Sequence, residues 1–146
     1  MLLEFKTKNY KSFVEEASFS MVAAPKQKGL DYSLMKTKIK GKEIKGLSSS
    51  VIYGPNAAGK TNIIGAMDVL RAIVLRGNIR NSEEKSSPNP AASALELIPN
   101  NNESEAKPVC FEIEFYEEDG EEHKFKIHYE LQIDLGTFLE EEYQRK

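Results

Sequence analysis

A chain of 146 residues, 40% hydrophobic, is long enough to bury a core and suits one domain. It has no run near the roughly 18 apolar residues that cross a membrane, and its N-terminus, MLLEFKTKNYKSF, alternates apolar and charged residues, unlike a signal peptide. Cys110 is the sole cysteine, so no internal disulfide can form and a cytoplasmic chain is the simplest reading. The net charge of −3 conceals a basic part, residues 1–101 with 15 Lys/Arg against 9 Asp/Glu, and an acidic part, residues 102–146 with 5 against 14, that disfavours nucleic acid.

Leu2 to Asn9 alternates, with Leu3, Phe5 and Thr7 on one face, which predicts a strand. Ala17–Val22 reads as its partner, with Phe19 and Met21 on one side, and the link Tyr10–Glu16 is short enough for a hairpin. Residues 23–47 contain Pro25, Gly29 and Gly41 and no clear period, so a long loop is expected, with at most a weak strand around Ser33–Ile39. Seven lysines fall between Lys26 and Lys45 against Asp31 and Glu43 only; the run reads as a solvated loop or edge strand, or as a surface for the phosphates of DNA.

Ser48–Tyr53 (SSSVIY) is expected to be a short buried strand that ends at Gly54. Lys60–Arg76 then predicts a helix, with Ile63, Ile64, Met67, Leu70 and Val74 as its apolar stripe and Gly77 as its C-terminal cap. Residues 77–107 are rich in Asn, Ser, Pro and Glu and read as an exposed insertion with one short element at 91–97. Val109–Tyr116 places Val109, Phe111, Ile113 and Phe115 on one face. Asp119–Gly120 marks a hairpin turn, Phe125–Ile133 alternates again, and Thr137–Tyr143 is a further edge-strand candidate.

Between the expected strand and helix, Gly54–Thr61 reads GPNAAGKT and fits GxxxxGK[ST]. Each fixed position has a physical reason. Gly54 lets the chain leave the strand sharply, and Gly59 permits an approach of backbone to phosphate that a Cβ would block. Backbone amides from Asn56 through Ala57, Ala58, Gly59, Lys60 and Thr61, helped by the helix N-terminus, are of the kind that bind phosphate oxygens. Lys60 is expected on the β- and γ-phosphates and the Thr61 hydroxyl on Mg²⁺. Pro55 completes the loop, and ATP with Mg²⁺ is the expected ligand.

The loop with its flank, GPNAAGKTNII, resembles that of ABC-class ATPases of the chromosome-maintenance, RecF-like and OLD-like groups, whose loop runs G-x-N-G/A-x-G-K-[ST]-[NT]; Asn56 and Asn62 both fit. Lys8–Phe13 (KNYKSF) is similar to the segment that closes the first strand in those families. The resemblance extends from Met1 to about Tyr143 and is nearest to the AAA-type OLD-like ATPases of bacterial defence systems. It implies an α/β P-loop NTPase fold, the N-terminal part of an ABC-class head with a mixed, partly antiparallel sheet. It also implies that Lys11 and Ser12 lie beside the nucleotide; KNYKSF can equally be a turn whose Tyr10 and Phe13 pack into the core.

Such an enzyme also needs a Walker B strand ending in Asp-Glu, an LSxGE/Q signature and a switch histidine, and the chain has none of them. Tyr129–Asp134 (YELQID) ends in an acid, yet it alternates, as a half-exposed antiparallel strand does, whereas a Walker B strand is buried on both faces. For the same reason Gln132 is a poor Q-loop glutamine. The expectation is an N-terminal lobe that by itself binds nucleotide weakly or not at all and hydrolyses it negligibly. It would be completed by the C-terminal part of the ATPase, in the same or a separate chain, and paired with a second head as a homodimer. Hydrolysis would need the missing motifs. A small phosphotransferase and an interaction module with an inactive cradle are the competing readings; about 50 β-rich residues before the loop disfavour the first. His123, His128 and Glu140–Glu142 read as surface residues, and Cys110 as an unactivated thiol.

Overall fold

The structure is a computed structural model, and it describes residues 1–25, 29, 31–39, 41–79, 95–100, 107–118 and 124–134. Four strands form one sheet in the order β2-β1-β5-β6: β1 is Leu2–Lys8, β2 Ala17–Ser20, β5 Val109–Glu118 and β6 Lys124–Ile133. Two further strands, β3 (Leu34–Ile39) and β4 (Lys42–Leu47), pair with each other, and the helix α1 spans Lys60–Arg76.

Alternation decides which face of the sheet is dry. Leu3, Phe5 and Thr7 of β1 are buried, and Phe5 and Thr7 stand opposite Ile113 and Phe111 of β5. Phe111 and Val109 in turn face Leu131 and Ile133 of β6. The intervening residues carry charge to the other face, where Lys6 meets Glu112 at 3.0 Å and Lys126 meets Glu114 at 2.8 Å. This division into an apolar and a charged face is what an antiparallel sheet allows. Phe5, Phe111 and Val109 are fully buried, each worth about 1.5–3 kcal/mol of apolar transfer.

Helix α1 lies against that apolar face, and its residues share one cluster with Phe5, Val109 and Phe111. The stripe differs from the expected one. Ile63, Ala66, Val69, Leu70, Ala72 and Ile73 are buried, whereas Ile64 and Val74 are more than half exposed. Small Ala66 and Ala72 let the helix come close to the sheet, and a stripe drawn through the largest apolar residues misses them. The helix bounds and the cap at Gly77 agree with expectation; Gly77 is left-handed and its N–H donates to Ile73 O at 2.9 Å.

Three further expectations need correction. Every paired strand among the described residues is antiparallel, so the sheet is not mixed. The weak strand expected around Ser33–Ile39 forms as Leu34–Ile39, but the stretch after it is no loop: Lys42–Leu47 pairs with it as a hairpin, in register Lys36↔Lys45. It is joined to the main sheet through Met21–Ala23, where Leu47 N donates to Met21 O at 2.7 Å and Ala23 N to Lys45 O at 3.1 Å. Ser48–Tyr53 is neither strand nor buried: Val51 is 81% and Tyr53 89% exposed. A central strand of a parallel sheet needs neighbours on both edges, and no described residue supplies them. The turn at Asp119–Gly120, residues 91–94, His123 and everything after Asp134 lie outside the described residues.

Candidate phosphate-binding site

Gly54–Gly59 forms an exposed turn between the extended segment and α1, closed by Ala58 N donating to Pro55 O at 3.4 Å. Ala57 and Gly59 both have positive φ, at 64° and 82°. Left-handed residues in a turn swing successive N–H groups out of their usual acceptor directions and create anion-binding concavities. Asn62 N and Ile63 N both donate to Gly59 O, at 2.9 and 3.2 Å, which starts the helix. Among the described residues the N–H groups of Asn56, Ala57, Gly59, Lys60 and Thr61 find no acceptor. Helix N-termini leave such donors open, and here the unpaired set extends back into the loop. No side chain caps the helix.

The Lys60 ammonium reaches back across the loop and donates to Gly54 O at 2.9 Å and Pro55 O at 2.6 Å. It is therefore held by neutral carbonyls at the start of the loop rather than by a carboxylate. Thr61 is exposed at the first turn of α1, and its hydroxyl finds no hydrogen-bond partner among the described residues. Five open N–H donors, an ammonium without an acidic partner and a free hydroxyl fit a polyphosphate and a hard cation that prefers oxygen ligands.

The turn that follows β1 packs against this loop. Tyr10 and Phe13 bond reciprocally, Tyr10 N to Phe13 O at 3.0 Å and Phe13 N to Tyr10 O at 2.8 Å. Tyr10 is fully buried with its ring edge on Phe111, centroids 5.8 Å apart, so it is a core residue. Its hydroxyl lies against Gly65 of α1, where a Cβ would come within 3.4 Å. Burial holds that hydroxyl protonated by raising its pKa. A Cβ on Gly59 would fall 2.9 Å from the Phe13 ring and 3.2 Å from Ser12 Oγ, so the loop and the turn are in contact. Ser12 Oγ accepts a hydrogen bond from Asn62 Nδ2 at 2.7 Å.

Lys11 is placed differently. Its ammonium pairs with Glu96, which raises the pKa of Lys11 and lowers that of Glu96, in both cases chiefly through the hydrogen bond between them. It stands 5.5 Å from the Tyr10 ring centroid and close to Gly65, along α1 from the loop. Ser12 and Asn62 are thus brought to the loop, while Lys11 is engaged elsewhere. Glu96 and Asn100 are partners of this region that the sequence does not single out. Asn100 is held by Asn9 and Lys11 across about 90 residues, and no short-range pattern could reveal that.

The other candidates are structural. Burial, more than the nearby Glu130, pushes the Cys110 thiol upward, away from the thiolate a nucleophile needs. His128 is half exposed and approaches Glu114 at 3.4 Å and Glu112 at 3.8 Å, but Lys126 and Lys6 already hold those carboxylates. The face reads as a salt-bridged sheet surface. Tyr129–Asp134 closes antiparallel β6, which removes it as a Walker B strand. In the basic hairpin, Lys36 pairs with Asp31 at 2.7 Å and Lys45 with Glu43 at 3.5 Å, which offsets part of its charge. No described helix is long and apolar enough to cross a membrane.

Residues 49–145, two thirds of the chain, match the model of a family described as "AAA domain, putative AbiEii toxin, Type IV TA system". The match takes in the phosphate loop and α1 but not the Lys8–Phe13 turn. No curated protein and no solved structure matches the chain.

Proposed function

The chain belongs to this AAA-domain family of the P-loop ATPase type, and from that premise we propose that it is the nucleotide-gripping N-terminal lobe of an ATP-driven switch. The observation that carries the reading is the set of N–H groups at Asn56, Ala57, Gly59, Lys60 and Thr61 that find no acceptor among the described residues, with the Lys60 ammonium bonded to the carbonyls of the same loop. In this reading the amides and Lys60 hold the β- and γ-phosphates of ATP, and Thr61 holds Mg²⁺. Bound Mg²⁺ supplies charge neutralisation of the phosphates. Pro55 and Ala58 shape the turn, Asn62 anchors Ser12 beside it, and Lys11 lies in the second ring of contacts.

The exposed Val51, Ile52 and Tyr53 favour a lobe that shares its central strand with further protein. An apolar, extended segment just before a phosphate loop gains most by pairing with strands that would carry Walker B and the signature sequence, in the same or a separate polypeptide. Two such heads would close on nucleotide as a homodimer, and a cytoplasmic defence setting fits the family's tie to toxin–antitoxin systems. DNA is the candidate target of the movement, with the β3–β4 lysines as its contact. Sheet strands drawn from both sides of the phosphate loop speak against a small phosphotransferase.

Calorimetric titration of the protein expressed from its intact gene tests the proposal. Mg·ATP is expected to bind, removal of Mg²⁺ to weaken it, and Lys60→Ala to weaken it at least tenfold, the loss expected of a charge-assisted contact worth about 1.5–3 kcal/mol. Equal affinity in the wild type and Lys60→Ala, or no heat in either, rejects the reading.

A further inference from the structure

Resting on that reading, we propose that the segment Leu95–Asn100 is a positioning strap for the nucleotide site, so that its docking and nucleotide binding reinforce each other. The strap grips the Asn9–Phe13 turn, and that turn grips the loop.

The first half of the linkage is dense. Lys11 N donates to Ile98 O at 2.8 Å, and Asn100 Nδ2 donates to Lys11 O at 2.6 Å. Asn100 N donates to Asn9, at 3.3 Å to the backbone carbonyl and 3.2 Å to Oδ1. Tyr10 bridges Pro99, Lys11 pairs with Glu96, and Leu95 is buried in the common core. These bonds fall on the residues whose backbone needs them most. Asn9 and Lys11 have φ of 53° and 48°, a left-handed conformation that costs energy for any residue with a Cβ. Asn tolerates it better than Lys does. Two strained residues within three positions persist only where their surroundings over-determine them, and the strap supplies a bond to the backbone of each.

The second half is short and direct. Held in that shape, the turn presents Phe13 against Gly59 and Ser12 to Asn62 Nδ2. Gly59 is the left-handed residue whose carbonyl starts α1, and it lies within the arc of open N–H groups. If the strap undocks, Asn9 and Lys11 relax toward negative φ, Phe13 and Ser12 withdraw, and the loop loses its floor. The segment between α1 and β5 thereby becomes a place from which nucleotide affinity can be set. Coupling of this kind is reciprocal, so nucleotide must tighten the strap by the factor with which the strap tightens nucleotide.

Hydrogen–deuterium exchange on the protein from its intact gene, with and without a non-hydrolysable ATP analogue and Mg²⁺, tests this. The expected result is slower exchange both in a peptide covering the phosphate loop and in one covering residues 95–100. Asn62→Ala should diminish the protection of the strap peptide more than that of the loop peptide. Asn100→Ala should bind the analogue about fivefold more weakly, the lower end of usual coupling. Protection of the loop peptide alone, with Asn100→Ala binding as the wild type does, overturns the strap and leaves the nucleotide reading intact. No protection of either peptide, together with no heat of binding, removes the nucleotide reading and the strap with it. If Asn100→Ala does not fold, the wild-type exchange and Asn62→Ala decide the matter.

Discussion

Replacement of Gly59 by alanine isolates the contact between the β1 turn and the phosphate loop. Two costs add. At φ 82° and ψ 8° a residue with a Cβ pays about 1–2 kcal/mol for the left-handed backbone. The new methyl would also lie 2.9 Å from Phe13 Cε1 and 3.0 Å from Cζ, and a ring packed against the core cannot step aside freely. Overpacking of this kind costs about 1–3 kcal/mol, so the sum is about 2–5 kcal/mol. Gly77→Ala is the matched control, because Gly77 is also left-handed at an end of α1 but has open space where a Cβ would point. Urea unfolding of the two variants should show Gly59→Ala less stable than Gly77→Ala by about 1–3 kcal/mol, with unchanged m-values. Adding Phe13→Val to Gly59→Ala should recover most of that difference, a coupling that a double-mutant cycle measures directly. Equal losses in the two glycine variants, or no recovery with Phe13→Val, would refute the packing of Phe13 under the loop.

Val51→Asp should change the stability of the 146-residue chain by no more than about 0.5 kcal/mol, as at other exposed sites, yet block assembly of a complete ATPase head if Val51 joins its central strand. A loss of several kcal/mol in the chain alone, read by urea unfolding, would mean that Val51 already belongs to a core here. The Glu96 carboxyl should titrate below the usual carboxylate range because the Lys11 ammonium bonds its charged form. A depressed folded-state value means that the pair stabilises above the unfolded carboxylate pKa and that this stabilisation disappears as pH falls through the folded value. An NMR titration should therefore find the Glu96 midpoint higher in Lys11→Met than in the wild type; coincident midpoints would show that the pair does not form in solution.

Much of the scaffold is legible from period alone. The alternations at Leu2–Lys8, Val109–Glu118 and Lys124–Ile133 become paired strands; β1 and the start of β5 have a dry face, whereas in β6 Phe125 and Tyr129 stay exposed and only Ile133 is buried. The helix starts and stops where Gly59 and Gly77 say it should. The hairpin Leu34–Leu47 is hidden because lysines alternate with few buried partners, so backbone pairing carries it and side-chain period does not. Val51–Tyr53 looks like a buried strand because its apolar residues imply neighbours, and the described residues contain none. At the site, the loop motif is local and readable, and the proximity of Ser12 follows only through family resemblance. The grip of Asn100 on Asn9 and Lys11 joins distant positions through polar bonds that leave no periodic trace.

Lys60 folds back onto Gly54 and Pro55, so its ammonium bonds two carbonyls of the loop itself. An arriving anion has to outbid two carbonyls before it can use the ammonium, and what it offers in return grows with its number of charged oxygens. Orthophosphate can satisfy only part of the vacated donors, whereas a triphosphate chain can engage the lysine and the amides together. On the proposed reading, a ligand with a longer phosphate tail has more charged oxygens to set against those carbonyls.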